Sequence, residues 1–257
     1  MAASIASLVS DLRTLGVEPG GVLLTHVGFR ALGLVENGPL GLIAALREAV
    51  GPDGTLVMPS WSGDDDTPFD PSTSPADPAL GVTADTFWRQ PGVKRAPHHF
   101  AGAAIGPHAT RILADPLPLP PHGEASPVGR VHELDGQVLL IGCLHDADTT
   151  IHLAELMGGA PYRRPKHLTI LENGAHKRID YGENDHCCQR FELADYWLAS
   201  QGLQREGRVG AAHARLARSR DIVSVVLEEL SRDPLIFLHP AEDECEECND
   251  ARASLRD

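Results

Sequence analysis

What most constrains this chain is an alternation of strand-sized apolar runs with stretches of helical periodicity. Ile5, Leu8, Val9, Leu12 and Leu15 recur at helical spacing and predict an amphipathic helix near Ser4 to Leu15. Gly21-Val-Leu-Leu-Thr-His-Val27 follows as a buried strand. Leu42, Ile43, Leu46 and Val50 give a helix over Leu40 to Val50, and Thr55 to Met58 gives the next strand. Phe100 to Ile105 and Gln137 to Cys143 are further strands, and a helix from about Thr149 to Met157 follows the second. Such alternation predicts an α/β fold with helices covering a central sheet. No shift in composition divides the chain, so residues 1–257 are expected to form a single domain.

Two long loops interrupt the pattern. Ser60 to Leu80 carries four prolines and the acidic run Asp64-Asp65-Asp66, and the proline-rich Asp115 to Ser126 passes through His122-Gly-Glu-Ala-Ser-Pro127. Loops of that length inside a domain are usually functional. Leu168 to Tyr181 predicts a hairpin turning at Asn173-Gly174, a strong type I′ signal. Helices near Cys188 to Ala199 and Arg220 to Leu230 are expected next, then a short strand over Leu235 to Leu238 and the tail Glu242-Asp-Glu-Cys-Glu-Glu-Cys248.

Asp and Glu number 36 against 22 Lys and Arg, a net charge of −14. A surface that acidic repels nucleic-acid phosphates and anionic lipid, and it draws in polycationic small molecules. No apolar stretch approaches the roughly 18 residues of a bilayer helix. The amino terminus lacks the signal-peptide pattern, and five cysteines do not make a disulfide framework. A cytoplasmic protein is expected.

The informative histidines lie at strand ends. His145 and His152 flank Asp146-Ala-Asp-Thr-Thr-Ile151, directly after the strand ending at Cys143. Ligands of open α/β sheets gather at such carboxyl ends. His152 and Glu155 are three apart and share a helix face, although that spacing equally suits a packed histidine bonded to a backbone carbonyl. Cys143, inside an apolar run, is a core residue rather than a reactive thiol. There is no Gly-x-Ser-x-Gly elbow, Walker loop or Gly-x-Gly-x-x-Gly turn. Cys245-Glu-Glu-Cys248 is a close thiolate pair suited to zinc, which prefers four tetrahedral N/S ligands. His186-Cys187-Cys188 could supply the others.

Five stretches together resemble the aminoglycoside 3-N-acetyltransferases, which inactivate antibiotics with acetyl-coenzyme A. They are Gly20-Gly-Val-Leu-Leu-Thr-His26, Gly54-Thr-Leu-Val-Met-Pro-Ser-Trp-Ser62, Ser126-Pro-Val-Gly-Arg-Val131, Gln137-Val-Leu-Leu-Ile-Gly142 and Asp148-Thr-Thr-Ile-His-Leu-Ala-Glu155. Pro118-Leu-Pro-Pro-His122, Glu183-Asn-Asp-His-Cys-Cys188 and the cysteine tail are most similar to the type IV branch, associated with apramycin, gentamicin and tobramycin resistance. The resemblance implies a three-layer α/β/α sandwich distinct from the GNAT acetyltransferases, whose pyrophosphate loop is missing here. It implies acetylation of the 3-amino group of 2-deoxystreptamine by direct transfer, with His152 as general base and Glu124 of Gly123-Glu-Ala-Ser-Pro127 orienting it. The implied coenzyme A region comprises His26, Val27, Gly28, Phe29, Arg30, the Ala96 to His99 segment with His98, and Ser126. Two hydroxyls common in the family after His26 are absent, Val27 and Gly28 standing in their place. A monomer or homodimer is expected.

The chemistry suits these residue types independently. An aminoglycoside amine is mostly protonated near neutral pH, and a histidine can remove that proton. A carboxylate on its other ring nitrogen fixes the tautomer, as in a catalytic triad. Asp65, Glu183 and Asp185 could bind the remaining ammonium groups by charge-assisted hydrogen bonds. Two other readings compete. A zinc-dependent hydrolase would place His145, His152 and Asp146 or Asp148 around a metal, but no HExxH-type helix supplies its ligands. A non-enzymatic cation-binding module would be held together by the cysteine tail. A structural zinc, separate from the chemistry, is expected on Cys245 and Cys248 with one or two of His186, Cys187 and Cys188.

Overall fold

The computed structural model describes residues 2–114 and 117–256; Asp115 and Pro116, which open the second predicted loop, lie outside them. The first half runs α1 (Ile5–Leu15), β1 (Val22–Val27), α2 (Pro39–Val50), β2 (Thr55–Pro59), α3 (Gly81–Trp88), β3 (Lys94–Arg95), β4 (Gly102–Ile105), the single turn α4 (Ala109–Ile112) and α5 (Pro127–Glu133). The second half runs β5 (Gln137–Ile141), α6 (Thr149–Met157), β6 (Arg164–Glu172), β7 (Ala175–Glu183), α7 (Leu193–Ser200), β8 (Gln204–Val209), β9 (Ala212–Arg218), α8 (Ser219–Arg232) and α9 (Glu246–Ala253).

Seven strands form one sheet in the order β3-β4-β2-β1-β5-β9-β8, and β6 pairs with β7 as a separate arm. The central strands β2, β1 and β5 are parallel, with antiparallel strands on both flanks. Successive side chains of a strand point to opposite faces, and here both faces are covered. Val22 and Leu24 of β1 with Val138 and Leu140 of β5 pack under residues of α5, α6, α7 and α8. Leu23, Leu139 and Ile141 point the other way, into the layer built on α1 and α2. The result is the three-layer α/β/α sandwich. Its inner strands are near-continuously apolar because neither face meets water.

Local chemistry sets the element ends. The Ser7 N–H donates to the Ser4 hydroxyl at 3.1 Å to open α1, and Gly16 closes it in the left-handed conformation (φ 109°). Leu8 and Leu12 of that helix are fully buried, each contributing about 1.5–3 kcal/mol. Asn173 and Gly174 both take positive φ at the tip of the β6–β7 arm, as a type I′ turn requires.

Two expectations need correction, and one hairpin has no counterpart in the sequence pattern. The helix expected from Cys188 begins only at Leu193, behind a short 3-10 turn over Gln189–Glu192. Leu235 to Leu238 is a chain of turns, not a strand. The Leu235 N–H donates to the Asp233 carboxylate at 2.9 Å, while the Ile236 and Leu238 N–H groups donate to the Asp233 and Leu235 carbonyls. The β8–β9 hairpin went unpredicted because β8 is a charged edge strand, Gln204-Arg-Glu-Gly-Arg-Val209. Among the described residues, no helix is long and apolar enough to cross a membrane.

Candidate active site

The parallel strands β1, β2 and β5 all end at the same edge of the sheet, and a cavity of about 330 Å³ opens there. Its wall includes His26 and Val27 from the end of β1, Gly28 just beyond, Pro59 at the end of β2, and Cys143 after β5. Gly28 is required by close approach, since a Cβ there would lie 2.4 Å from the Gly142 carbonyl oxygen. Thr25 Oγ1 and His26 Nε2 are buried in this wall without a hydrogen-bond partner. A polar ligand would complete both.

His152 reaches the cavity from the first turns of α6, its side chain 19% exposed. Its Nδ1 lies 2.8 Å from Glu155 Oε2. Glu155 is fully buried, yet three donors meet its carboxylate: His152, His186 through Nε2 at 2.9 Å, and the Tyr162 hydroxyl. The backbone N–H of Cys188 donates to His186 Nδ1 at 3.1 Å, so the proton of His186 is on Nε2, aimed at Glu155. Burial opposes ionisation of Glu155, but the hydrogen bonds from His152 and His186 outweigh it and bring its pKa down to about 2. An ionised carboxylate accepts only, so His152 carries a proton on Nδ1, and when the ring is neutral its lone pair is on Nε2. Cys188 Sγ lies 3.4 Å from that Nε2. Burial disfavours the His152 cation, but the Cys188 sulfur and the Glu155 carboxylate raise its pKa well above the usual value. The His122 ring stacks on His152 with centroids 5.2 Å apart, and burial beside His152 lowers the pKa of His122 to about 3.

The fold therefore places Glu155, not Glu124, against His152 Nδ1. Glu124 is exposed and makes no hydrogen bond to His152. The helical spacing of His152 and Glu155 was the available signal. Tyr162, His186 and Cys188 carried none, because only the folded chain brings them to α6.

The three acidic candidates converge. Asp65, Glu183 and Asp185 line a second cavity of about 340 Å³, with Trp61 and His122 in its wall, and Trp61 also borders the first cavity. Asp185 is already paired, with Arg164 at 2.7 Å and Lys166 at 2.8 Å. Among the described residues the Glu183 carboxylate has neither an ion pair nor a hydrogen bond, and burial raises its pKa above the ordinary value.

The implied coenzyme region divides. His26, Val27 and Gly28 line the strand-end cavity. Phe29 packs against the core on the α1–α2 side and Arg30 is exposed on the following turn. His98 lies in a different cavity beside Phe69 and Ile170, where burial lowers its pKa to about 4. The Ser126 hydroxyl is the N-cap of α5, accepting the Gly129 N–H at 3.2 Å.

The hydrolase reading fails on geometry. His145 is buried with Nδ1 2.9 Å from Asp148 Oδ2 and Nε2 2.8 Å from Gln204 Oε1. Both nitrogens face acceptors, which leaves neither for a metal. Asp148 also accepts the Thr150 N–H at 2.9 Å to cap α6. Among the described residues the group able to hold an ion is Cys187, Cys245 and Cys248, whose sulfurs lie within 4.8 Å of one another. Of the trio expected to supply one or two ligands, only Cys187 faces the Cys245–Cys248 pair. His186 is bonded at both nitrogens, and Cys188 turns its sulfur to His152 and the His186 carbonyl.

Known proteins similar to this chain fall in one family. A family model described as aminoglycoside 3-N-acetyltransferase matches residues 24–231. Aminoglycoside N(3)-acetyltransferase IV of Salmonella sp is 66% identical over 237 residues, 92% of this chain and 91% of that protein. A histidine-to-alanine form of aminoglycoside acetyltransferase AAC(3)-IVa in complex with a gentamicin is 64% identical. It superposes with a TM-score of 0.98 over 99% of this chain and 98% of that one. A histidine-to-alanine form of the same enzyme is also known with apramycin. AAC-IIIb bound to CoASH is 27% identical with a TM-score of 0.81, over 90% of this chain and 97% of that one.

Proposed function

The chain belongs to the aminoglycoside 3-N-acetyltransferase family and is an enzyme of that activity, and on that premise we propose that it moves acetyl directly from acetyl-coenzyme A to the 3-amino group of gentamicin- and apramycin-class drugs. The observation that carries the mechanism is the 2.8 Å contact between His152, which lines the strand-end cavity, and the buried Glu155 behind it. Once the ammonium has lost one proton to solvent, His152 Nε2 takes a second proton from the amine as the nitrogen bonds to the acetyl carbon. The carbon–sulfur bond breaks, and the imidazolium passes that proton to the departing thiolate, which leaves as the free thiol. Glu155 holds the tautomer and stabilises the imidazolium. The cavity suits the thioester end of the cosubstrate, with Thr25 Oγ1 and His26 Nε2 as its unsatisfied polar groups. Coenzyme A bound to AAC-IIIb and drugs bound to AAC(3)-IVa support the two partners. Glu183 and Asp65 take the drug's other ammonium groups.

Replacing His152 with alanine tests the reading: kcat should fall at least about 10²-fold, with drug binding retained. Near wild-type turnover would remove His152 from the mechanism. Cys188 at 3.4 Å from Nε2 favours a second path, acetyl passing first to its sulfur. Intact mass after incubation with acetyl-coenzyme A alone separates the two, since only the second path adds one acetyl group to the protein.

The reading includes a cytoplasmic setting and one zinc on Cys187, Cys245 and Cys248. Thiolates at about 2.3 Å from a tetrahedral zinc stand roughly 3.8 Å apart, and the Cys187 and Cys248 sulfurs are 3.6 Å apart.

A further inference from the structure

Glu155 has two donors besides His152, and both come from segments that wall the three-thiol site. Tyr162 packs in a small core with Ala160, Leu238 and the α9 residues Cys248 and Ala251, and its hydroxyl donates to Glu155. His186 immediately precedes Cys187. Asn184 joins the two segments, donating from Nδ2 to the Ala160 carbonyl at 3.2 Å and the Tyr162 carbonyl at 2.8 Å. Beyond Cys187, Cys188 adopts the left-handed conformation (φ 59°) that brings its sulfur to His152. A non-glycine residue keeps that conformation only where its surroundings hold it.

Helix α9 contributes little apolar surface to this contact. Its buried side chains are Cys248 and Ala251, and its first turn carries Glu246 and Glu247. An acidic eight-residue helix with two small buried side chains has a weak hydrophobic reason to dock. The three sulfurs supply what it lacks.

We propose that Cys187, Cys245 and Cys248, loaded with one thiophilic divalent cation of the zinc class, form a positioning site for catalysis: by tying α9 to the 160–162 and 184–188 segments they hold Tyr162 and His186 on Glu155, and so Glu155 on His152 Nδ1. This rests on the zinc reading of those thiols. No bond of the reaction passes through the ion. The site expected to stand apart from the chemistry is instead one residue away from it on either side.

The test starts from the full-length protein. Elemental analysis should find about one zinc per chain, and cobalt exchange should give tetrahedral visible bands with thiolate charge transfer, lost in Cys245→Ser. Chelation at a temperature where circular dichroism reports an intact fold should lower kcat by about tenfold or more, as loss of supporting contacts does elsewhere. KM and calorimetric drug affinity should hold, and added zinc should restore kcat. Tyr162→Phe, which leaves every thiol in place, should retain the metal and still lose kcat at constant drug affinity. Bound metal whose removal lowers only the melting temperature would overturn the positioning role and leave the zinc reading standing. Absence of metal and cobalt spectrum, or a Cys187–Cys248 disulfide in the non-reduced mass, would overturn both.

Discussion

Replacing Glu155 with glutamine changes one oxygen to an amide nitrogen in a side chain that accepts from His152 on one side and from His186 and Tyr162 on the other. The amide has a single acceptor end. Two donors compete for it on the Oε1 side, so the oxygen stays there and the NH₂ group faces His152 Nδ1. His152 answers by shifting its proton to Nε2, which removes the lone pair that takes the substrate proton. In a Ser-His-Asp triad the same carboxylate-to-amide exchange, acting through the wrong tautomer, lowers kcat about 10⁴-fold. At about 1.36 kcal/mol per factor of ten this is about 5 kcal/mol of transition-state stabilisation. Thiol release from acetyl-coenzyme A with gentamicin should therefore fall about 10³- to 10⁴-fold in kcat for Glu155→Gln, with KM little changed. The fold should survive, because an imperfectly met buried donor costs roughly 1–3 kcal/mol. The pH profile gives a second check. A general base works deprotonated, and the Cys188 sulfur and the Glu155 carboxylate hold the His152 pKa above the usual 6.5 against burial, so with His152 in the proposed role the rising limb of kcat/KM is expected above pH 6.5. Without the carboxylate, that limb in the residual activity should move to lower pH. Retention of more than about a tenth of wild-type kcat, or an unmoved limb, would refute the reasoning, since even simple acid–base loss exceeds that.

Other outcomes follow from the same geometry. Glu183→Gln should weaken drug binding by roughly tenfold or more, the worth of one charge-assisted hydrogen bond, and leave coenzyme A binding unchanged. Asp185→Asn should cost less, because Arg164 and Lys166 already occupy its carboxylate; calorimetry showing equal losses for both ligands in either variant would point to misfolding instead. Glu124→Gln should leave kcat and its pH profile unaltered, the side chain being exposed; a large loss would return it to the mechanism. Buried His98, at about 4 in the fold against 6.5 unfolded, binds its proton later than the unfolded chain does. Its contribution is complete above pH 6.5 and is lost as pH falls toward 4, a decline on the order of 3 kcal/mol. Urea midpoints across that window should fall less steeply in His98→Gln, and an unchanged slope would exclude His98 as the cause.

Local pattern carried much of the architecture. The apolar runs of β1, β2 and β5 and the helical spacing in α1, α2 and α6 are properties of adjacent residues, so they were visible in the chain itself. So was the shared face of His152 and Glu155, because three residues along a helix is a geometric constant. The β8–β9 hairpin leaves no such trace because its edge strand is charged, and apolar periodicity is the signal for burial rather than for strand pairing. Placing Glu124 on His152 overlooked that a loop residue's direction is set by the packing around it.

By itself the sequence determined a layered α/β protein, a helix carrying His152 and Glu155 on one face just beyond a strand end, and a net negative charge of −14. Only the tertiary structure decided which groups serve that histidine. His186, Cys187 and Cys188 are neighbours in the chain, yet the turn through Cys188 sends His186 to Glu155, Cys187 to Cys248 and Cys188 to His152. Their residue types made all three plausible metal ligands. Their directions come from the backbone conformation at Cys188 and from the packing of α9 and Tyr162. Those are interactions between segments some tens of residues apart, and no local pattern records them.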